Sequence, residues 1–170
     1  MRSSLCLLVI SLVLAGALAA PAQAGQRIGG GVHYLRTLGD IKDESEFDEN
    51  AFGFLASYQR DVALFKIEGD VEWILDYGGS GNALIQPQAY VLFGNFIYGG
   101  AGIGTGYFDG EWWSDPFYAL RAGANFMLVG LDLDAYALYR FHDTEVFEGF
   151  GEQDLDSITF GAVIRFSIGG

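Results

Sequence analysis

Residues 65–73 read Phe-Lys-Ile-Glu-Gly-Asp-Val-Glu-Trp, and this stretch of the 170-residue chain decides the fold. Four charged residues alternate strictly with apolar residues and glycine. Side chains separate into two faces at a period of two only on a β-strand, where successive residues point to opposite sides. The stretch therefore predicts a strand with one charged face and one apolar face.

The same alternation recurs along the chain and predicts an all-β protein. Leu131–Phe141 and Ser157–Ile168 show it clearly, and five further segments show it less sharply. Long connections alternate with short ones near Arg60-Asp61, at 94–95 and at 127–130, which is typical of a membrane barrel with outer loops and tight inner turns. The eight predicted strands are 27–38, 51–60, 65–73, 83–93, 96–107, 117–126, 131–141 and 157–168, and the long connections are 39–50, 76–82, 108–116 and 142–156.

Composition narrows the class of protein. The formal net charge is -13 and the pI is near 4.2, which argues against nucleic-acid binding because phosphate contacts need clustered Lys and Arg. Hydrophobic residues make up 51% of the chain and charged residues only 18%, so it is too apolar for a disordered acidic tail. The length suits one domain.

Residues 1–24 have the pattern of a secretory signal peptide. Arg2 precedes an apolar run, which ends in the small-residue cleavage motif Ala22-Gln23-Ala24. We therefore expect this segment to be removed and residues 25–170 to form one exported barrel domain. The only cysteine, Cys6, lies in the signal peptide, so the mature domain cannot use disulfides or cysteine ligands.

An eight-stranded barrel can be soluble, like a lipocalin with an apolar interior, or membrane-spanning, with the apolar face outside. Three features favour the membrane. The apolar faces carry almost no charge apart from Arg36, the acids concentrate in loops, and aromatic residues lie near the strand ends, as in the interfacial girdles of membrane barrels. A sheet in lipid must also close, because its edge groups would find no water. The girdle aromatics are Tyr58, Phe65, Phe126 and Phe166 at one rim and Tyr34, Phe52, Trp73, Tyr107, Tyr118, Tyr139 and Phe141 at the other.

The last strand resembles the terminal-strand assembly signal of bacterial outer-membrane proteins. Thr159, Gly161, Ile164 and Phe166 match its polar, glycine, apolar and aromatic positions, although four residues follow the aromatic one. Residues 25–170 as a whole resemble the small eight-stranded barrels of the OmpA-barrel and OmpX kind.

That resemblance implies an eight-stranded antiparallel up-and-down transmembrane barrel in the outer membrane of a Gram-negative cell, with short periplasmic turns and longer extracellular loops. The expected partners are outer-membrane lipid and lipopolysaccharide, the outer-membrane assembly machinery and periplasmic chaperones. We expect a monomer without a cofactor and without nucleic acid.

The charged faces of the strands are expected to line the lumen, which in such a barrel is just wide enough for side chains. The simplest interpretation is a network of paired charges that plugs the barrel. The alternative is a narrow, gated ion path. The residues of the predicted network are Lys66, Glu68, Asp70, Glu72, Arg121, Asp132, Asp134, Arg140 and Arg165, with Arg27 and His33 also facing inward.

Four glycines, at 100, 102, 104 and 106, are predicted to face the lumen. They do not form the G-x-G-x-x-G pattern of a nucleotide loop, and no helix follows them. The space that they leave is expected to be filled by Tyr90, Tyr98 and Tyr136, with an acyl-chain pocket as the alternative.

The outer loops hold the excess acid. Asp43, Glu44, Asp48 and Glu49 could bind a divalent cation, since Ca²⁺ and Mg²⁺ prefer oxygen ligands. No EF-hand spacing is present, and a solvated acidic loop is the favoured explanation.

An enzymatic alternative comes from a second resemblance. Lipid A deacylases of the outer membrane carry His-x-Ser in the last long loop and an acid before the final strand, and here His142-Asp143-Thr144 and Asp156 occupy similar positions. The serine is replaced by Thr144 and the acid is Asp, so the nucleophile and base pattern is incomplete. We therefore expect a non-enzymatic barrel with a structural or surface-interaction role.

Overall fold

The computed structural model describes residues 25–37, 50–62, 64–128, 131–141 and 157–168. Within these ranges no helix is long and apolar enough to cross a membrane. A 3₁₀ turn spans Tyr77–Gly79. The strands are β1 (Gln26–Thr37), β2 (Asn50–Val62), β3 (Phe65–Ile74), β4 (Leu84–Gly94), β5 (Ile97–Gly104), β6 (Tyr107–Phe108), β7 (Glu111–Trp112), β8 (Phe117–Leu128), β9 (Leu131–Phe141) and β10 (Ser157–Ile168).

Eight of these strands close into an antiparallel barrel, which confirms the predicted fold class. Each long strand pairs with its sequence neighbour, β5 pairs with β8, and β3 pairs with β4. The barrel closes where β1 pairs with β10, from Gln26 opposite Ile168 to Thr37 opposite Ser157. Closure leaves none of these strands with an unpaired edge, as a lipid environment requires.

The two ends of the barrel differ. Both β1 and β10 have their chain-terminal ends at the same rim as the short connections after β2, β4 and β8, and we call this rim the turn end. The opposite rim, which carries the long connections, is the loop end. β6 and β7 form a hairpin there, joined to β4 through Ile85 opposite Tyr107.

Two predicted strand limits were wrong. β2 does not turn at Arg60-Asp61 but continues to Val62, opposite Phe65. Asp61 stays in the strand because its backbone N–H donates to the carbonyl of Gly25 (3.0 Å) and its side chain reaches Arg27. β5 ends at Gly104 and not at Tyr107, because the next partner in β4 is Pro87, which accepts from Thr105 N–H (3.2 Å) but has no N–H to return.

The barrel is charged inside and apolar outside. Glu68 and Arg165 have no exposed surface, whereas Phe52 is 67% exposed and Phe160 58% exposed. This contradicts the soluble lipocalin-like alternative, which required an apolar lumen and a charged exterior. Arg36 is exposed on the outer face, near the loop end.

An apolar cluster lies in the lumen at the loop end, and we call it the apolar cap. Leu35, Ala51, Ile74 and Leu84 are buried there. Tyr77, Phe108 and Trp113 pack against them. Burial in this cap raises the pKa of the Tyr77 hydroxyl.

Candidate functional site: the charged lumen

The lumen face of β3 carries Lys66, Glu68, Asp70 and Glu72, all buried. They point inward because the pleat sends every second side chain to one face and the alternate, apolar residues occupy the outside. The opposite wall supplies Arg121 from β8, Asp132, Asp134 and Arg140 from β9, and Arg165 from β10. The structure thus brings all nine residues of the predicted network into one lumen.

Two arginines and three carboxylates form the central cluster of the lumen. Arg121 Nη1 lies 2.8 Å from Glu68 Oε1 and 3.1 Å from Asp70 Oδ2, and its Nη2 lies 2.9 Å from Asp134 Oδ2. Arg165 pairs with the same Glu68 and, at 2.9 Å, with Asp134. Because each arginine bridges two or three acids from different strands, the cluster ties opposite walls of the barrel together.

Two tyrosines complete the surroundings of Arg121. Its guanidinium carbon lies 3.8 Å from the ring centre of Tyr136, a close cation–π contact. Its Nε donates to the hydroxyl of Tyr98 (3.1 Å), which in turn donates to Asp134 Oδ1 (2.7 Å). The guanidinium group is therefore held by carboxylates, a phenol and a ring face, with no described part of it left to water.

A second cluster lies nearer the turn end and is centred on Arg27. Its guanidinium donates to Asp61 at 2.8 and 3.0 Å and to Gln59 Oε1 at 2.7 Å, and its Nε lies 3.3 Å from Asp132 Oδ2. Gln59 then donates to Glu68 at 2.6 Å, which links this cluster to the central one.

A third cluster lies nearer the loop end. Arg140 pairs with Glu72 at 2.5 Å and donates to the hydroxyl of Thr159 at 2.8 Å. His33 Nδ1 is 3.5 Å from Glu72 Oε1. This cluster lies between the central cluster and the apolar cap, because Glu72 precedes the capping residue Ile74 by two positions on β3.

Aromatic rings cover the lumen glycines of the neighbouring strand. Tyr90 lies directly opposite Gly102, and a Cβ at that glycine would be 2.3 Å from its ring. The prediction that tyrosines fill the space beside the β5 glycines holds for Tyr90 alone. Other residues lie at the remaining positions, and the acyl-chain alternative stays a prediction. The pairs are Leu92 on Gly100, Phe117 on Gly104, Trp113 on Gly106, Tyr98 on Gly123, Tyr136 on Gly161 and His33 on Gly53.

The predicted assembly signal lies on β10. Thr159 is buried in the lumen, and Gly161 faces the ring of Tyr136. Ile164 and Phe166 point outward and are 48% and 55% exposed.

The remaining predicted site residues lie outside the described residues. They are His142, Thr144 and Asp156 of the enzymatic alternative and Asp43, Glu44, Asp48 and Glu49 of the cation site. In the part of the chain that the structure describes, no group of three or more His, Cys, Asp or Glu residues is arranged to hold a metal ion.

Sequence reasoning missed several members of the lumen network. The sequence predicts a tight connection at Arg60-Asp61, and the predicted network contains neither Gln59 nor Ser57. Ser57 Oγ receives a hydrogen bond from Arg165 Nε at 3.0 Å. Continuing the alternation of β2 by two residues would have placed Asp61 on the same face as these two.

The closed, apolar-outside barrel defines the chain as having the fold of a small transmembrane β-barrel. No family model matches the sequence, and no curated protein sequence matches it. Among solved structures, the chain is similar to Neisserial surface protein A, with a TM-score of 0.62 and 12% identity over 84% of this chain and 97% of that chain. At this identity the likeness shows a shared fold, as the OmpA-barrel and OmpX resemblance implied.

Two further structures have lower TM-scores. A de novo designed transmembrane β-barrel has a TM-score of 0.49 and 11% identity, over 84% of this chain and 97% of that chain. Ail, the attachment invasion locus protein of Yersinia pestis, has a TM-score of 0.44 and 18% identity, over 85% of this chain and 97% of that chain.

Proposed function

We propose that this chain is a non-enzymatic outer-membrane barrel whose lumen is closed and whose role is structural or lies in contacts made by its extracellular loops. The observation that carries the proposal is the buried and, apart from Lys66, paired charge of the lumen inside an apolar exterior. Five cationic and five anionic side chains are buried on the lumen face of the described strands: Arg27, Lys66, Arg121, Arg140, Arg165, Glu68, Asp70, Glu72, Asp132 and Asp134.

The exterior supports a bilayer as the environment. Large apolar side chains are exposed on neighbouring strands around the barrel, among them Val32, Phe54, Trp73 and Phe160 at 51%, 55%, 54% and 58%. Soluble monomers rarely expose a continuous apolar surface beyond a few hundred Å². A β-barrel with this surface is stable where lipid covers it, and exported barrels of this kind reside in the outer membrane.

The lumen supports a closed barrel over a channel. The central cluster places Arg121, Arg165, Tyr98 and Tyr136 in the lumen, and the apolar cap lies beyond it at the loop end. An ion entering this path would have to break several charge-assisted hydrogen bonds in a poorly hydrated interior. Since most charges of the interior are engaged in these pairs, we expect macromolecular partners to be met at the loop end.

Localisation and conductance test the proposal together. The full-length protein is expressed, the outer-membrane fraction is isolated, and migration in cold and boiled SDS is compared. We expect the protein in that fraction, with faster migration before boiling, and no steady conductance after the purified barrel is inserted into a planar bilayer. A soluble periplasmic protein would contradict the membrane assignment, and steady single-channel current in salt solution would contradict the closed lumen.

A further inference from the structure

A cavity of about 330 Å³ opens at the turn end of the barrel, below the central cluster. Its volume lies within the range of small-molecule sites. Its wall includes Arg27, Lys66 and Asn125 from the lumen and Phe96 and Met127 at the mouth. We call this cavity the turn-end vestibule.

The two cations of the vestibule differ in their partners. Arg27 has Asp61 at 2.8 Å and Asp132 at 3.3 Å. Lys66, which is 7% exposed, makes no ion pair within 4 Å among the described residues, and its Nζ lies 3.5 Å from the carbonyl oxygen of Asn95 and 5.6 Å from the ring centre of Tyr98. The nearby acids Asp61 and Asp132 pair with Arg27 and not with Lys66, and a buried ammonium group without a direct ion pair can gain from an added anion.

A second hydrogen-bond donor lies on the same wall. Asn125 is 8% exposed, and its side-chain Nδ2 has no hydrogen-bond partner in the part of the chain described. Buried amide groups are almost always paired, and an unpaired one beside a cavity is free to donate to a molecule that enters it. Asp61, the acid on this wall, is already engaged by Arg27 through both of its oxygens. Among the residues that line the cavity, the groups left to bind a ligand are therefore a hydrogen-bond donor, Asn125 Nδ2, and the positive charge of Lys66.

The mouth of the vestibule is apolar. Phe96 and Met127 line it and are 57% and 68% exposed. A ligand that reaches Lys66 from the turn end passes these two side chains. An apolar substituent on such a ligand would be removed from water there.

We propose that the turn-end vestibule binds a small organic oxyanion, a carboxylate or phosphate, with its charged group on Lys66 and Asn125 and a short apolar group on Phe96 and Met127. The site opens only at the turn end in the described structure, since the central cluster and the apolar cap close the other side. This function is separate from the loop-end contacts proposed above and does not depend on them.

Binding can be measured on the folded full-length barrel in micelles of an uncharged detergent. Resonances of the Asn125 side-chain amide and the Met127 methyl group are followed by NMR during titration with butyrate, inorganic phosphate or butylammonium. We expect saturable shifts at both residues with butyrate and none with butylammonium, which has the same apolar group and the opposite charge. No saturable shift with either oxyanion would overturn the proposal.

Substitutions at Lys66 test which residue contacts the charged group of the ligand. Lys66→Gln should weaken butyrate binding about tenfold or more, the factor expected when a charge-assisted hydrogen bond is lost. Lys66→Arg should keep it within a few-fold, and Arg36→Gln, which removes a cation from the outer face, should leave it unchanged. Equal affinity in Lys66→Gln and the parent protein would overturn the assignment of the charged group.

A second variant decides the matter if Lys66→Gln does not fold. Asn125→Asp keeps the size of the side chain and adds a negative charge at the proposed position of the ligand. We expect it to weaken butyrate binding at least as much, and unchanged affinity would contradict the proposal. Phosphate binding as tightly as butyrate would keep the oxyanion site but remove the apolar contact from it.

Discussion

Arg121 and Tyr136 stack in the middle of the barrel, with the guanidinium carbon 3.8 Å from the ring centre. The same ring lies on Gly161 of the neighbouring strand, where a Cβ would meet it at 2.3 Å. One aromatic side chain thus supports the central cation on one side and fills the space of a missing side chain on the other. The contact joins the electrostatics of the lumen to the packing of β9 against β10.

The central cluster should lose much of its stability when its main cation is removed. Arg121→Met keeps the length of the side chain but leaves Glu68 and Asp134 with Arg165 alone, and it removes the arginine that pairs with Asp70. Breaking a buried pair by removing one partner typically costs about 3–5 kcal/mol. We expect a loss of that size in the free energy of unfolding, measured by urea denaturation of the barrel in lipid vesicles.

Arg36→Gln is the matched control for Arg121→Met, because Arg36 is a cation exposed on the outer face near the rim. It should change the unfolding free energy by less than about 0.5 kcal/mol. Equal effects of the two substitutions would mean that the central cluster adds nothing to stability.

In several places an aromatic ring covers a glycine of the lumen, and we call these ring-on-glycine contacts. They predict that the effect of adding one methyl group on the free energy of unfolding depends on the position of the glycine. Gly161→Ala should destabilise the barrel by about 1–3 kcal/mol, because the new Cβ overlaps the Tyr136 ring, which also packs against Arg121. Gly69→Ala is the control, since nothing lies within 4 Å of its added Cβ. Urea unfolding of both variants checks the difference, and a neutral Gly161→Ala would show that the ring moves without cost.

The inside–outside arrangement could be predicted from the sequence, whereas the pairing inside could not. The alternation on β3 is enough to put Glu68 and Asp70 on one face, because the pleat is a local property. Their partner Arg121 is 53 and 51 residues away, and its height in the lumen depends on the stagger with which the whole barrel closes. That stagger depends on the registers of all the strand pairs together, so no single segment of the sequence predicts it.

The ring-on-glycine contacts could be predicted from the sequence in part. His33 and Gly53 lie directly opposite each other on β1 and β2, and both are on the lumen face of their strands. Once a hairpin register is assumed, a glycine opposite a ring can be recognised from the sequence. Tyr98 was assigned to the β5 glycines because that register was not set, and it covers Gly123 on β8 instead.

A charge on the outer face should cost more at mid-barrel than at the rim if the barrel spans a bilayer. Val32 lies near the middle of β1 and is 51% exposed on the outer face, so Val32→Arg should lower the unfolding free energy by about 2–4 kcal/mol in vesicles. Leu128, the last residue of β8 and 60% exposed, is the rim control, and Leu128→Arg should cost about 0–1 kcal/mol. Equal costs would contradict the transmembrane assignment.

The apolar cap and the charged clusters below it should close the lumen independently. Phe108→Ala with Trp113→Ala removes two cap side chains, one of which covers Gly106. We expect this double variant to stay silent in a planar bilayer, because the Arg140–Glu72 pair and the central cluster remain in the lumen below the cap. Steady current from the double variant would show that the cap alone closes the barrel.

The enzymatic alternative makes a different prediction, which can be tested by measuring the number of acyl chains on lipid A. If His142, Thr144 and Asp156 formed a deacylase centre, expression of the protein would remove acyl chains from lipid A and Thr144→Ala would stop the loss. We expect mass spectra of lipid A to be the same for cells that express the protein, the Thr144→Ala variant or neither, because a threonine replaces the serine nucleophile that such enzymes use. Thr144→Ser is the informative companion, since it restores that nucleophile without changing the charge of the loop. Acyl loss with the parent protein that disappears in Thr144→Ala would overturn the non-enzymatic proposal, and acyl loss with Thr144→Ser alone would show a site that lacks only its nucleophile.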